Sequence, residues 1–96
     1  MKFKNQNQLF QYIWDTRPHV SELTGNTLLP KNHWQWHWQF LHVLPKGQYT
    51  YYKLNSENIL LALPEEHANQ NIYKVFRDKR DQLIQKYNQE FRTKKL

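Results

Sequence analysis

The chain predicts an α+β domain: one helix, two strands joined by a long turn, a helix start directly after the second strand, and a long basic helix. Three observations predict it. Leu9, Phe10, Ile13 and Trp14 recur at helical spacing. Two strand-like stretches, 34–43 and 58–63, flank a turn-rich segment that opens on Pro45-Lys46-Gly47. From Ile72 onward, apolar positions again recur at helical spacing on a basic background.

The first helix is expected over 5–16. Asn5 or Asn7 supplies a side-chain acceptor for its free N–H groups. Arg17-Pro18 ends it, because a residue before proline avoids the helical region. Its apolar stripe is read as core. The 19–30 segment is irregular, with a turn at Ser21-Glu22-Leu23-Thr24-Gly25 whose glycine can take a left-handed conformation.

The 34–43 stretch alternates. As a strand it would place Trp34, Trp36, Trp38, Phe40 and His42 on one face, and His33, Gln35, His37, Gln39 and Leu41 on the other. The tryptophan face is expected to pack on a terminal helix. Base stacking by Trp34 or Trp36 is the rival reading. The turn that follows carries Tyr49, Tyr51 and Tyr52, and the second strand is apolar almost throughout. Pro64 then suits the first turn of a helix, where its missing N–H costs nothing. Glu65 and Glu66 favour the positive end of the helix dipole. The last helix is expected over about 72–94, with a stripe of Ile72, Val75, Phe76, Leu83, Ile84, Tyr87 and Phe91. It holds eight Lys or Arg against three acidic residues, most of the chain's net +6.

Composition narrows the classes. Ninety-six residues make one domain (1–96) with a modest core. Four Trp, six Tyr and five Phe must supply much of its buried area. The absence of cysteine excludes disulfides and a thiolate zinc knuckle. No apolar run approaches the ~20 residues of a membrane span. The N-terminus lacks the apolar segment of a secretory signal, so a cytoplasmic protein is the expectation. A pI near 9.7 favours a polyanionic partner, nucleic acid first. The plain alternative is a solvated basic face with intrahelical ion pairs.

The stretch FLHVLPKGQYTYYKLNSENILLALPEEH, residues 40–67 of a core motif over 40–68, carries the chemistry. His42 precedes the proline turn, Asn58 opens the second strand, and His67 follows Pro64-Glu65-Glu66. In this order and spacing the segment resembles the HNH, or ββα-metal, nuclease family. It is most similar to the small phage-type HNH proteins with the pattern SHxLPKGxYPxxRxNPxNIxLxxPEEH. The likeness covers roughly residues 17–68 well and the tail helix more loosely.

The resemblance implies a ββα-metal unit with an N-terminal helix and a long basic C-terminal helix. It implies phosphodiester hydrolysis on DNA, giving 5′-phosphate and 3′-hydroxyl ends. His42 matches the family's general base, and a near-neutral pKa suits an imidazole to that task. Asn58 matches the asparagine that ties the long turn and orients the base. His67 matches a metal ligand, with Mg²⁺ the first expectation and Mn²⁺ or Zn²⁺ the alternatives. Lys46 and Lys53 in the turn, and Arg77, Lys79 and Arg80 on the last helix, are candidate phosphate contacts. A structural role is as open for each of them.

Two positions depart from the pattern. Leu41 stands where many relatives place a second metal ligand, and Asn71 stands where many have a further histidine. His37 is the candidate replacement, although four residues along a strand span roughly 13 Å. The departures motivate a second hypothesis. In it the protein is a catalytically degenerate HNH scaffold that binds DNA, or binds and inhibits another nuclease. A phage counter-defence protein against a CRISPR or restriction nuclease would be of this kind. If phage-encoded, it is expected in the host cell cytoplasm.

Overall fold

A computed structural model describes residues 3–45 and 47–92 of the chain. Helix α1 spans Gln6–Thr16. Asn5 caps it, its side-chain oxygen accepting the Gln8 N–H at 2.9 Å. Leu9, Phe10, Ile13 and Trp14 are buried on one face, as their spacing requires. Arg17 is extended, and α1 stops there. The irregular stretch that follows is closed by a single bridge between Val20 and Thr27. Gly25, at φ +82°, makes the turn, and its N–H reaches the Ser21 carbonyl.

Strands β1 (Phe40–His42) and β2 (Ile59–Leu61) pair antiparallel, with Phe40 opposite Leu61, Leu41 opposite Leu60 and His42 opposite Ile59. The one-turn helix α2 (Pro64–His67) follows β2 directly. A 3₁₀ turn at Gln70–Ile72 leads to α3 (Lys74–Tyr87), which passes into a π-helical turn over Asn88–Arg92. The architecture is α+β, built on a small hairpin with helices around it.

The hairpin is covered on both faces. Phe40, Ile59 and Leu61 point to α1 and pack with Phe10, Ile13 and Trp36. Leu41, Leu60 and Ala62 point the other way and pack with Phe76 and Leu83 of α3. Strand side chains alternate between faces, so a strand covered twice must be apolar at every position. That is why β2 reads Ile-Leu-Leu without a polar break.

Two expectations are corrected. The 34–43 stretch is not a strand throughout: Trp36–Gln39 is a 3₁₀ turn, and β1 begins only at Phe40. The reason is the length of the partner. The ladder's last bond runs from the Ala62 N–H to the Gln39 carbonyl, and Pro64 then turns the chain into α2. Earlier residues have no strand to pair with, so their backbone groups bond locally. The Trp36 N–H donates to the His33 carbonyl and the Trp38 N–H to the Gln35 carbonyl. The buried Gln39 side chain fixes the turn by bonding the Leu29 N–H at 2.6 Å and the Leu29 carbonyl at 3.2 Å. The tryptophans therefore divide: Trp36 is buried, whereas Trp34 and Trp38 are exposed.

The last helix is the second correction. It starts at Lys74, after an extended Tyr73. Ile72 and Val75 leave the stripe for solvent, and Phe76 and Leu83 carry the buried contact with Ile84 and Tyr87 against them. The Phe91 side chain and residues 93–96 lie outside the described residues. Among the described residues no helix is long and apolar enough to cross a membrane.

Candidate functional site

The site is assembled where the hairpin meets its long turn. His42 is the last residue of β1 and is half-buried. Strand alternation puts its side chain on the α1 face, and its ring centroid lies 6.4 Å from that of Phe10. Asn58 is fully buried next to it and closes the turn. Its Oδ1 accepts the Leu44 N–H at 2.7 Å and its Nδ2 donates to the Leu44 carbonyl at 3.0 Å. Its own carbonyl accepts the Val43 N–H at 2.9 Å. Three bonds thus lock the two residues after His42 to the start of β2, which fixes the backbone that carries the imidazole.

A second clamp holds the same turn from outside. Arg17 Nη1 donates to the Ile59 carbonyl at 2.7 Å and Nη2 to the Ser56 carbonyl at 2.8 Å. Nη1 also meets Glu22 Oε2 at 2.8 Å. Glu22 in turn pairs with the outer edge of β2: its N–H donates to the Leu61 carbonyl, and its carboxylate accepts the Leu61 N–H, both at 2.7 Å. The edge strand is therefore satisfied without a third strand. Tyr52 packs the turn inward onto α3, its ring centroid 6.3 Å from that of Tyr87. Burial pushes the Tyr52 phenol above its ordinary pKa.

His67 closes α2 and is half-buried. Its Nε2 is buried with no hydrogen-bond partner among the described residues. Burial pushes its pKa below the ordinary histidine value, against a backbone hydrogen bond with Ala62 and the charge of Glu66. Because Nε2 makes no bond, the Ala62 contact falls to Nδ1. That leaves a neutral ring with its Nε2 lone pair available, the state a metal ligand needs.

Beside it, Glu66 anchors α2 in a buried polar network. It accepts from Ser21 Oγ at 2.5 Å, Thr24 Oγ1 at 2.6 Å and the Leu63 N–H at 2.9 Å. Burial raises its pKa, but the two hydroxyls, the amide and the His67 charge outweigh this and hold it below the ordinary value. The 21–24 turn thus docks onto α2 through hydroxyls and a carboxylate.

The remaining candidates are scattered. His37 sits in the 3₁₀ turn, so the strand face once shared with Leu41 does not exist. It is exposed, stands edge-on to Trp36 at 5.0 Å, and lines a cleft of about 320 Å³ with Asn7, Gln11 and Lys31. Leu41 is buried in the α3 cluster. Asn71 is engaged: its Oδ1 accepts from Arg80 Nη1 at 3.0 Å and its carbonyl from Arg77 Nη1 at 2.9 Å. Those two arginines therefore staple the 70–72 turn to α3, and Arg80 Nε also pairs with Asp81 Oδ1 at 3.7 Å. Lys79 lines a groove of about 530 Å³ with Arg17, Glu22 and Gln82. Lys53 is exposed, and Lys46 lies outside the described residues. Among the described residues, no group of three or more His, Cys, Asp or Glu is placed to hold a metal ion.

Sequence reasoning missed Arg17, Glu22, Ser21 and Thr24 as builders of the site. In the sequence, Arg17 marks only a helix stop, and Ser21 and Thr24 only a turn. An arginine shortly before a hydroxyl-rich turn that itself holds a glutamate is the one available signal. No family model, no curated protein and no solved structure matches the chain.

Proposed function

We propose that the protein is a metal-dependent DNA endonuclease of HNH type. One observation carries this: Asn58 clasps both backbone groups of Leu44, two residues after His42. It spends a fully buried amide on fixing one short stretch of turn. A general base must be held steady against a water and a phosphorus atom. In this reading His42 takes a proton from water, the hydroxide attacks phosphorus, and the 3′-oxygen leaves. The products carry 5′-phosphate and 3′-hydroxyl ends. His67 would hold the cation through Nε2, with water and phosphate oxygens completing the shell. Mg²⁺ tolerates so few protein ligands best, ahead of Mn²⁺ or Zn²⁺. The cation supplies positive charge for the phosphorane-like transition state and the departing oxygen. Lys53, Lys79, Arg77 and Arg80 would meet the DNA backbone, with Lys46.

A second reading has its own support. Leu41 is committed to the core and Asn71 to two arginines, so neither is free to ligate. A scaffold so reduced would serve as a binding module, on DNA or on another nuclease.

Supercoiled plasmid incubated with Mg²⁺, Mn²⁺ or EDTA, beside the His42→Ala variant, separates the two. Metal-dependent nicking that the variant loses, with its thermal stability kept, is the expected result. Absence of nicking under every metal, or equal nicking by the variant, would reject the endonuclease.

A further inference from the structure

Two large indoles stand in solvent where the sequence pattern placed core. Trp34 is 73% exposed and Trp38 54% exposed. Their centroids lie 5.3 Å apart with the planes at 77°. His33 stacks on Trp34 at 6.0 Å. The turn that carries them is rigid: Trp36 plugs the core beneath it, and its backbone bonds internally from His33 to Gln39. Exposing such area on a fixed support costs free energy unless a ligand covers it.

Charge indicates the ligand. No Asp or Glu occurs between Glu22 and Glu57, a span that holds three lysines and three histidines. Next to the indoles along the chain, His37 and Lys31 line the cleft with the amides of Asn7 and Gln11. Lys31 bonds Gln11 Oε1 and lies 5.9 Å from the Trp36 ring centre. The neighbouring carboxylate of Asp15 is taken by Gln11 Nε2 at 2.8 Å. Flat π-faces, with a lysine within a few residues along the chain and amides lining that lysine's cleft, suit a nucleobase and its phosphate. Steeply inclined indole planes suit bases that turn independently. Paired bases hide their faces in the duplex stack.

We propose that Trp34 and Trp38 form a stacking platform for unpaired bases of single-stranded DNA. The proposal rests on DNA as the ligand and adds that the bound strand is unpaired. It needs no catalysis by His42, so binding can be read apart from cleavage.

The test is fluorescence anisotropy in EDTA with three labelled probes: oligothymidylate, an abasic oligomer of equal length, and a duplex of equal length. Wild type is compared with the Trp34→Ala/Trp38→Ala double variant and with Trp34→Phe/Trp38→Phe. Wild type should prefer oligothymidylate to the other two probes. The alanine pair should weaken that binding at least about tenfold, since each stacked base is worth a severalfold change or more. The phenylalanine pair should keep most of it, and the abasic probe should not distinguish the three proteins. Both positions are exposed, so unchanged circular dichroism is expected. Unaltered oligothymidylate binding by the alanine pair overturns the platform. So does equal affinity of wild type for base-bearing and abasic strands. Self-association in sedimentation velocity that the alanine pair abolishes, without strand binding, overturns it in favour of a protein interface. Plasmid nicking with no stacking dependence would sink the platform and leave the endonuclease; stacking without nicking would do the reverse.

Discussion

Replacing Asn58 with alanine removes the clasp and keeps the backbone bond from the Val43 N–H to its carbonyl. Leu44 is 1% exposed and Asn58 0% exposed, so water has no open route to the two groups released. The Leu44 N–H and carbonyl lose bonds of 2.7 and 3.0 Å. Each buried group left unsatisfied costs about 1–3 kcal/mol, so the pair sets a loss of about 2–6 kcal/mol. Against a total of roughly 5–15 kcal/mol for a domain, this is a large share. A loss near 3 kcal/mol would lower Tm by roughly 12–24 °C in a chain of this size. Urea titration, followed by the fluorescence of the buried Trp14 and Trp36, measures it as a fall in midpoint at constant slope. Asn58→Asp should destabilise at neutral pH despite its equal size, because its second oxygen would face the Leu44 carbonyl. A change below about 1 kcal/mol for Asn58→Ala would refute the argument, since it would mean that Leu44 finds other partners.

Acid should act on this fold in two stages. His67 is held below its ordinary pKa of 6.5, so its contribution is full above that value and is lost as pH falls through its folded pKa. Glu66 is held below 4.5, so its contribution is full above 4.5 and is lost at lower pH again. Thermal melts across this range should show both declines, with Glu66→Gln flattening the lower one; a variant that melts in parallel with wild type would contradict the network. His67→Ala should remove any rise in Tm that Mg²⁺ or Mn²⁺ produces in wild type, and persistence of that rise would place the cation elsewhere. Gly25→Ala meets no atom within 4 Å and retains its amide bond, so only its φ of +82° is penalised, by about 1–2 kcal/mol. A neutral outcome in a urea titration would mean that the turn relaxes.

The legible parts of this fold were those set by near neighbours in the chain. Asn5 reaches Gln8 and the α1 stripe repeats within three turns, so both were readable. Pro64 before two glutamates announced α2 at its true position. The 34–43 stretch misled because its alternation was compositional. Whether it becomes a strand depends on a partner, and β2 ends too soon to supply one. The supports of the site were hidden for a different reason. Arg17 acts on residues 39 and 42 positions away, and Ser21 on one 45 away. Each is an ordinary polar residue whose purpose appears only when the hairpin folds back over it.

Leu41 joins the sequence question to the structural one. It precedes His42, so strand alternation sends the two side chains to opposite faces of the hairpin. His42 goes to the α1 side, near Phe10. Leu41 goes to the α3 side, into the cluster that holds Ala62. Ala62 is also the residue whose backbone His67 leans on. A ligand at position 41 would therefore stand on the same face as that support. In this chain the position is hydrocarbon, packed with Leu60 and Phe76. The core has gained a side chain where a cation would have gained a ligand. What remains of the candidate site is His42, framed on the α1 face, and a neutral His67 whose buried Nε2 makes no bond among the described residues. On the endonuclease reading proposed above, His67 alone would need water and the phosphate itself to complete a cation's shell. Metal binding would then depend on DNA, and metal affinity measured without DNA would understate the site.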